Sequence, residues 1–324
     1  MKKQVLIHWV LGLVIFFFTI PHALAAEGFP TKPLELVVPF SAGGGTDVMC
    51  RTMVARAASF LSNQPVVVVN KTGAATVAAS RYVLDGRNDG YTLYSTSTSS
   101  MMIVPLMQKT DFSWRDFMGI AQVLRGGDGF FVHTDFPHNT LEKFIAYAKQ
   151  NPGKIKYTSA GTGSTTHLAM EGFAAAVGID IKHIPTKGDA EAVIAILGGH
   201  VVAASGSLTP YKPHLESGKL KCLAQYGVER DKLFPQIPTF KEQGIDVIVD
   251  LWRWVVVPKG VAADRVKILA AAFKNILHDK ETLASLEKVG NPVTYLPPEE
   301  YENVMKASEV AMAKLLKIAK MEGK

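Results

Sequence analysis

The chain has 324 residues, 48% of them hydrophobic and 20% charged, with a formal net charge of +6. That length accommodates about two domains, each with ample core. The charge is spread along the chain and not gathered into a basic stripe, which argues against a nucleic-acid partner; a mild positive excess suits an anionic ligand.

At the N-terminus Lys2 and Lys3 precede an apolar run from Trp9 to Ile20, followed by Pro21 and Ala23-Leu24-Ala25. A charged segment, an apolar segment and an A-x-A site form a secretory signal, with cleavage expected after Ala25. The apolar run is shorter than the roughly 20 residues a membrane span needs. Residues 1–25 are therefore read as a signal peptide and the mature chain as an exported, soluble protein. The cysteines are Cys50 and Cys222, far apart in sequence; both are read as free buried thiols in different lobes, with a disulfide as the alternative that an oxidising compartment allows. Neither follows the cleavage site, so no lipid anchor is expected.

Next come short apolar, β-branched runs at 34–38, 66–69 and 91–94, as in buried strands of a mainly parallel sheet. Between the first two, Met49, Met53, Ala57 and Phe60 form the stripe of an amphipathic helix. A second series follows: strand 154–159, helix 165–177, strand 181–185, helix 190–197 and strand 201–205. Extended crossings are expected near Phe130-Phe131-Val132-His133 and near Trp252-Arg253-Trp254-Val255. The later helices, 263–276, 280–289 and 298–319, have no strand series of their own and are expected to return to the first unit. The fold class is thus α/β, with two Rossmann-like lobes joined by a two-strand hinge. Lobe one spans 26–131 plus 252–324 and lobe two 132–251, leaving an interlobe cleft as the natural ligand site.

The chemistry concentrates in two loops that each follow a strand and open a helix. The first reads Pro39-Phe40-Ser41-Ala42-Gly43-Gly44-Gly45-Thr46-Asp47, the second Ser159-Ala160-Gly161-Thr162-Gly163-Ser164-Thr165-Thr166-His167. Glycines let backbone N–H groups approach a ligand, and a helix N-terminus adds about half a positive charge at the same point. Ser41 and Thr46 can cap or donate, while Asp47 can serve the first turn instead of touching ligand. Two such loops facing each other would hold one carboxylate through neutral donors, which suits capture and release. His167 has two readings, a ligand donor or a residue packed at the helix start.

Catalysis is not indicated. Neither loop has the Gly-Lys-Ser/Thr ending of a P-loop or the G-x-S-x-G of a nucleophile elbow. His167 and Glu171 are spaced i, i+4, yet no H-E-x-x-H or cysteine cluster supports a metal. Ser164 and His167 could act as nucleophile and base of a hydrolase, but no acid to orient the histidine is identifiable. No cofactor is expected.

The sequence resembles the substrate-binding proteins of the tripartite tricarboxylate transporter family, the TctC or Bug type. The resemblance is carried by Phe29-Pro30-Thr31-Lys32-Pro33, Val38-Pro39-Phe40 with the triple glycine and Asp47, and Asp89-Gly90-Tyr91-Thr92-Leu93. It continues through Asn151-Pro152-Gly153-Lys154, the 159–167 loop, Lys187-Gly188, Leu197-Gly198-Gly199, Ser217-Gly218-Lys219-Leu220 and Ile237-Pro238-Thr239. It implies a periplasmic-binding-protein fold, a periplasmic location and a monomer. The implied task is holding a small carboxylate, a di- or tricarboxylate or an aromatic acid, for a membrane permease. The fold also serves sensors that present a ligand to a signalling receptor. Carried onto this chain, the contacts fall on Phe40, Ser41, Gly44, Gly45, Thr46 and Asp47, and on Ser159, Thr162, Gly163, Thr165, Thr166 and His167. Ser97 and Lys187 are further candidates. Three departures stand out. Gly206 replaces a family aspartate that can meet an amino group, which argues against an amino-acid ligand. Thr72-Gly73-Ala74-Ala75-Thr76 replaces a glycine-rich turn, leaving its backbone contact in question. Trp254 stands where relatives tend to have glycine, and is read either as a stacking surface for an aromatic acid or as hinge packing.

Overall fold

A computed structural model describes residues 28–321 apart from 109, 228 and 250. The signal peptide expected over 1–25 lies outside the described residues. Among those residues no helix is long and apolar enough to cross a membrane.

The chain begins β1 (Leu34–Val38), α1 (Gly45–Val54), β2 (Val66–Asn70), α2 (Val77–Leu84), β3 (Thr92–Ser97), α3 (Val104–Met107) and β4 (Phe117–Arg125). It continues β5 (Asp128–His133), α4 (Leu141–Gln150), β6 (Lys156–Ser159), α5 (Thr165–Val177), β7 (Lys182–Pro185), α6 (Asp189–Leu197), β8 (Ala203–Ser207), α7 (Leu208–Glu216) and β9 (Leu220–Gln225). It then returns as β10 (Trp252–Pro258) and ends in α8 (Ala263–Ile276), α9 (Lys280–Lys288) and α10 (Tyr301–Ile318).

These strands form two five-stranded sheets, ordered β2-β1-β3-β10-β4 and β7-β6-β8-β5-β9. In each, three parallel strands are joined by an antiparallel strand that enters from a crossing: β10 beside β3 and β4, β5 beside β8 and β9. The two expected crossings at 130–133 and 252–255 are therefore strands inside the sheets, and β5, cut at residue 131 in the sequence reading, lies whole in the second sheet. The physical reason is burial: Phe130, Phe131 and Val132 are fully covered on both faces, so they belong to a sheet interior. The bend is left to Gly126 and Gly127, whose φ angles of 91° and 96° suit residues without a Cβ. The return strand runs alongside, with Gly126 N–H donating to Leu251 O at 2.8 Å.

Alternation along each strand fills a core on both faces. In β1, Leu36 and Val38 pack with Met49, Met53, Phe273 and Leu286 of α1, α8 and α9, while Val37 faces α2 and α10. In the second sheet Phe130 meets Phe144 and Phe173 of α4 and α5, and Phe131 stacks on Tyr211 of α7 with centroids 3.9 Å apart. Helix α10 returns to the first sheet and also reaches the second unit, where Leu315 lies over Gly172 of α5.

Candidate functional site

The C-terminal ends of the parallel strands of both sheets converge on one cleft, the place where open α/β sheets bind ligands. From the first sheet come the turns after β1, β2 and β3; from the second come those after β6, β7 and β8. Two adjoining cavities share Phe40, Ala160 and Ser164. The outer one, about 480 Å³, is walled by the 72–76 turn, Ser99, Thr162, Thr186 and Lys187. The inner one, about 20 Å³, lies between Gly44, Gly45, Thr46 and Ser97 on one side and Thr165, Thr166, Asp189 and Ser207 on the other, with Arg253 against both. A separate hollow of about 540 Å³ beside α7 and β9 carries none of these loops.

The first loop is held from behind. The Asp47 carboxylate accepts from Gly43 N–H at 2.9 Å, from Arg51 Nε at 3.0 Å and from Asn70 Nδ2 at 2.9 Å, while Asn70 also donates to Phe40 O. Burial alone would raise the Asp47 carboxyl, but Arg51, the Gly43 N–H and Asn70 outweigh it and hold it below the usual carboxylate range. Asp47 thus shapes the loop without lining either cavity. Helices α1 and α6 start at Gly44 and Gly188 with no side-chain cap, so their first-turn N–H groups face the cleft unclaimed by a capping side chain. Gly45 is packed so closely that an added Cβ would sit 2.9 Å from Ser207 Cβ of the facing lobe. Ser41 lies at the lobe contact, its hydroxyl buried and unpartnered against Gly188.

The second loop divides its residues between cleft and scaffold. Thr162, Thr165 and Thr166 line the cavities. Thr166 Oγ1 accepts the Ala160 N–H at 3.2 Å, and Thr165 donates to Asp128 at 3.1 Å. Gly163 turns its carbonyl to Ser99 Oγ, a 2.8 Å bond between lobes. Ser159 and His167 face away. Ser159 Oγ pairs with His183 Nε2 at 2.8 Å, and His167 stacks on His183 with its Nδ1 accepting the Gly163 N–H. Burial, then the neighbouring ring, push the His167 pKa down to about 3, and burial pushes His183 down to about 4. Ser164 caps α5 by accepting the His167 backbone N–H, so this pair has no nucleophile–base geometry. Among the described residues no three metal-binding side chains cluster.

Other candidates separate in the same way. Ser97 lines the inner cavity and Lys187 the outer. Gly206 lines neither; the space its side chain would fill is taken by Tyr211 and by Asp189 Oδ1, 2.9 Å from an added Cβ. An acid therefore occupies the region after all, delivered by α6 instead of β8, and Asp128 of β5 adds a second. Burial and then Asp128 raise the Asp189 pKa to about 6; burial raises Asp128 against the pull of Arg253. Trp254 is fully buried against Tyr301, in the core and not in the cleft. The 72–76 turn does wall the outer cavity, with Ala74, Ala75 and Thr76 all at positive φ, 45°, 50° and 84°.

Arg253, Asp189, Asp128 and Ser207 were missed by the sequence reading. The available signal was a lone charge inside the apolar strand Trp252-Arg253-Trp254-Val255-Val256-Val257. With Trp252 and Trp254 sent to one core, period-two alternation turns Arg253 to the other face, toward the N-terminus of α1.

A family profile described as tripartite tricarboxylate transporter family receptor, TctC, matches residues 49–319. The chain is 36% identical over 285 residues to the UPF0065 protein in gbd 5'region of Cupriavidus necator, covering 87% of this chain and 85% of that one. Its structure is similar to one described as a periplasmic transporter, at 30% identity and a TM-score of 0.85 over 91% of this chain and 99% of the other. It is likewise similar to an R. palustris protein solved with adipate, at 27% identity and a TM-score of 0.86 over 91% of this chain and 100% of the other. The family consists of solute receptors, not enzymes, and the fold is that of periplasmic binding proteins. With that profile match over most of its length, the chain belongs to the tripartite tricarboxylate transporter receptor family, TctC.

Proposed function

We propose that the protein is exported to the periplasm, captures a small carboxylate between its lobes and hands it to the permease subunits of a tripartite tricarboxylate transporter. The observation that carries this reading is the convergence of α1 and α6, both uncapped by side chains, with hydroxyls of both lobes on one cavity. Backbone N–H groups and hydroxyls hold a carboxylate well while leaving it free to depart. The likeness to a protein solved with adipate supports an aliphatic acid. So does the burial of Trp254, which leaves Phe40 as the aromatic ring at the cleft.

A thermal-shift screen of aliphatic and aromatic carboxylates, adipate and benzoate included, tests the reading. A ligand at a hundred times its dissociation constant stabilises the fold by about 2.7 kcal/mol, a readily measured rise in Tm. Absence of any shift with millimolar carboxylates on the folded protein would sink it. Delivery is checked separately, by uptake of the same acid into vesicles carrying the permease with and without the loaded protein.

A further inference from the structure

Arg253 is 4% exposed, and what surrounds it is unusual for a buried cation. Its Nε donates to Thr46 Oγ1 at 2.9 Å and its Nη2 to Ser207 Oγ at 3.0 Å, two neutral acceptors from opposite lobes. Among the described residues no carboxylate forms an ion pair with it, although Asp128 and Asp189 are close enough to feel its charge. Its direct hydrogen bonds thus go to hydroxyls, while the counter-charge that burial demands comes from Asp128 and Asp189 without direct contact, leaving the guanidinium edge unmatched by any carboxylate. Its planar fork matches a carboxylate better than it matches two alcohols. The inner cavity it lines is about 20 Å³, room for little more than a water, and the Ser207 hydroxyl can reach Nη2 only when the lobes are together. In the opened cleft Nη2 is therefore available to a ligand bound on the first lobe. Burial raises both acids, Asp189 to about 6, so an incoming carboxylate meets least opposition below that pH and the titrations are run on both sides of it.

We infer that Arg253 determines specificity by receiving a second carboxylate of the ligand in place of the Ser207 hydroxyl, so that the cleft selects dicarboxylates over monocarboxylates of equal length. This rests on the carboxylate-receptor reading above. The test is isothermal titration of the full mature chain with succinate against butyrate, glutarate against pentanoate and adipate against hexanoate, for the wild type, Arg253→Gln and Arg253→Lys. Thermal unfolding confirms that each variant is folded, and Arg253→Lys, which keeps the charge, serves if Arg253→Gln does not fold. The expected result is at least thirtyfold preference for one dicarboxylate over its partner in the wild type, falling below threefold in Arg253→Gln and partly kept in Arg253→Lys. Equal weakening of both acids, with their ratio unchanged in the variants, would assign Arg253 to holding the lobes together and overturn the inference. Wild-type binding with no dicarboxylate preference would overturn it while sparing the receptor reading. Binding of no carboxylate at all would remove both.

Discussion

At Gly45 one missing methyl group sets how near the lobes can come. A Cβ there would stand 2.9 Å from Ser207 Cβ and 3.5 Å from Pro210 Cδ, so Gly45→Ala should hinder closure while leaving each lobe's core untouched. We expect adipate affinity to fall at least tenfold, about 1.4 kcal/mol, with little change in unliganded Tm; titration and thermal unfolding read the two effects apart. Thr166 both lines the inner cavity and braces its own loop. Its hydroxyl accepts the Ala160 N–H and shares a 3.0 Å bond with Ser164, so Thr166→Val should also cost about 1–3 kcal/mol of folding stability, visible in urea unfolding. The thiols of Cys50 and Cys222 are free, and burial pushes both up to about 12. A thiol reagent at pH 8 should label the fully buried Cys50 slowly in the native protein and promptly after unfolding, with half-buried Cys222 the faster of the two; fast native labelling of Cys50 would contradict this placement.

At the scale of elements, the seating of α10 on β4 depends on Gly119. An added Cβ would lie 2.6 Å from Tyr301 Cβ and 2.7 Å from its ring, near the helix backbone and not at a flexible tip. Gly119→Ala should therefore destabilise by about 1–3 kcal/mol, lowering Tm by several degrees without altering ligand preference, as calorimetry with and without adipate would establish. The same helix ties the first sheet to α5 through Leu315, so the lobes share packing outside the crossings. The first loop depends on its neighbours in a comparable way, since Asp47 and Asn70 bind it to the end of β2.

For the whole molecule, pH should act on stability through groups buried behind the cleft. The unfolded chain binds protons at His167 and His183 below the ordinary imidazole value of 6.5, whereas the folded chain resists them down to about 3 and 4. Stability is then lost as pH falls from about 6.5 toward 4. Asp189 works oppositely: held near 6 in the fold against 3.8 unfolded, it costs stability as pH rises from about 4 to 6. Asp128, also raised, acts in the same sense as Asp189, so the histidine contribution is read by difference: His183→Gln should make the change in Tm from pH 4 to pH 7 less positive than in the wild type. An unchanged slope would argue that these rings are not buried neutral.

The division into strand, glycine loop and helix was determined by the sequence alone, because hydrophobic period and glycine position are local properties of the chain. The same locality made both loops legible, together with the two-lobed α/β class. What only the tertiary structure decided is which side chains of those loops meet the cleft. Thr46, Thr165 and Thr166 do so, whereas Asp47, Ser159 and His167 are spent on holding the loops in shape. The structure also decided that Arg253, Asp128, Asp189 and Ser207, scattered over 126 positions from 128 to 253, gather around the inner cavity. Strand order and the parity of a residue within a covered sheet fix that gathering, and neither can be read from spacing along the chain.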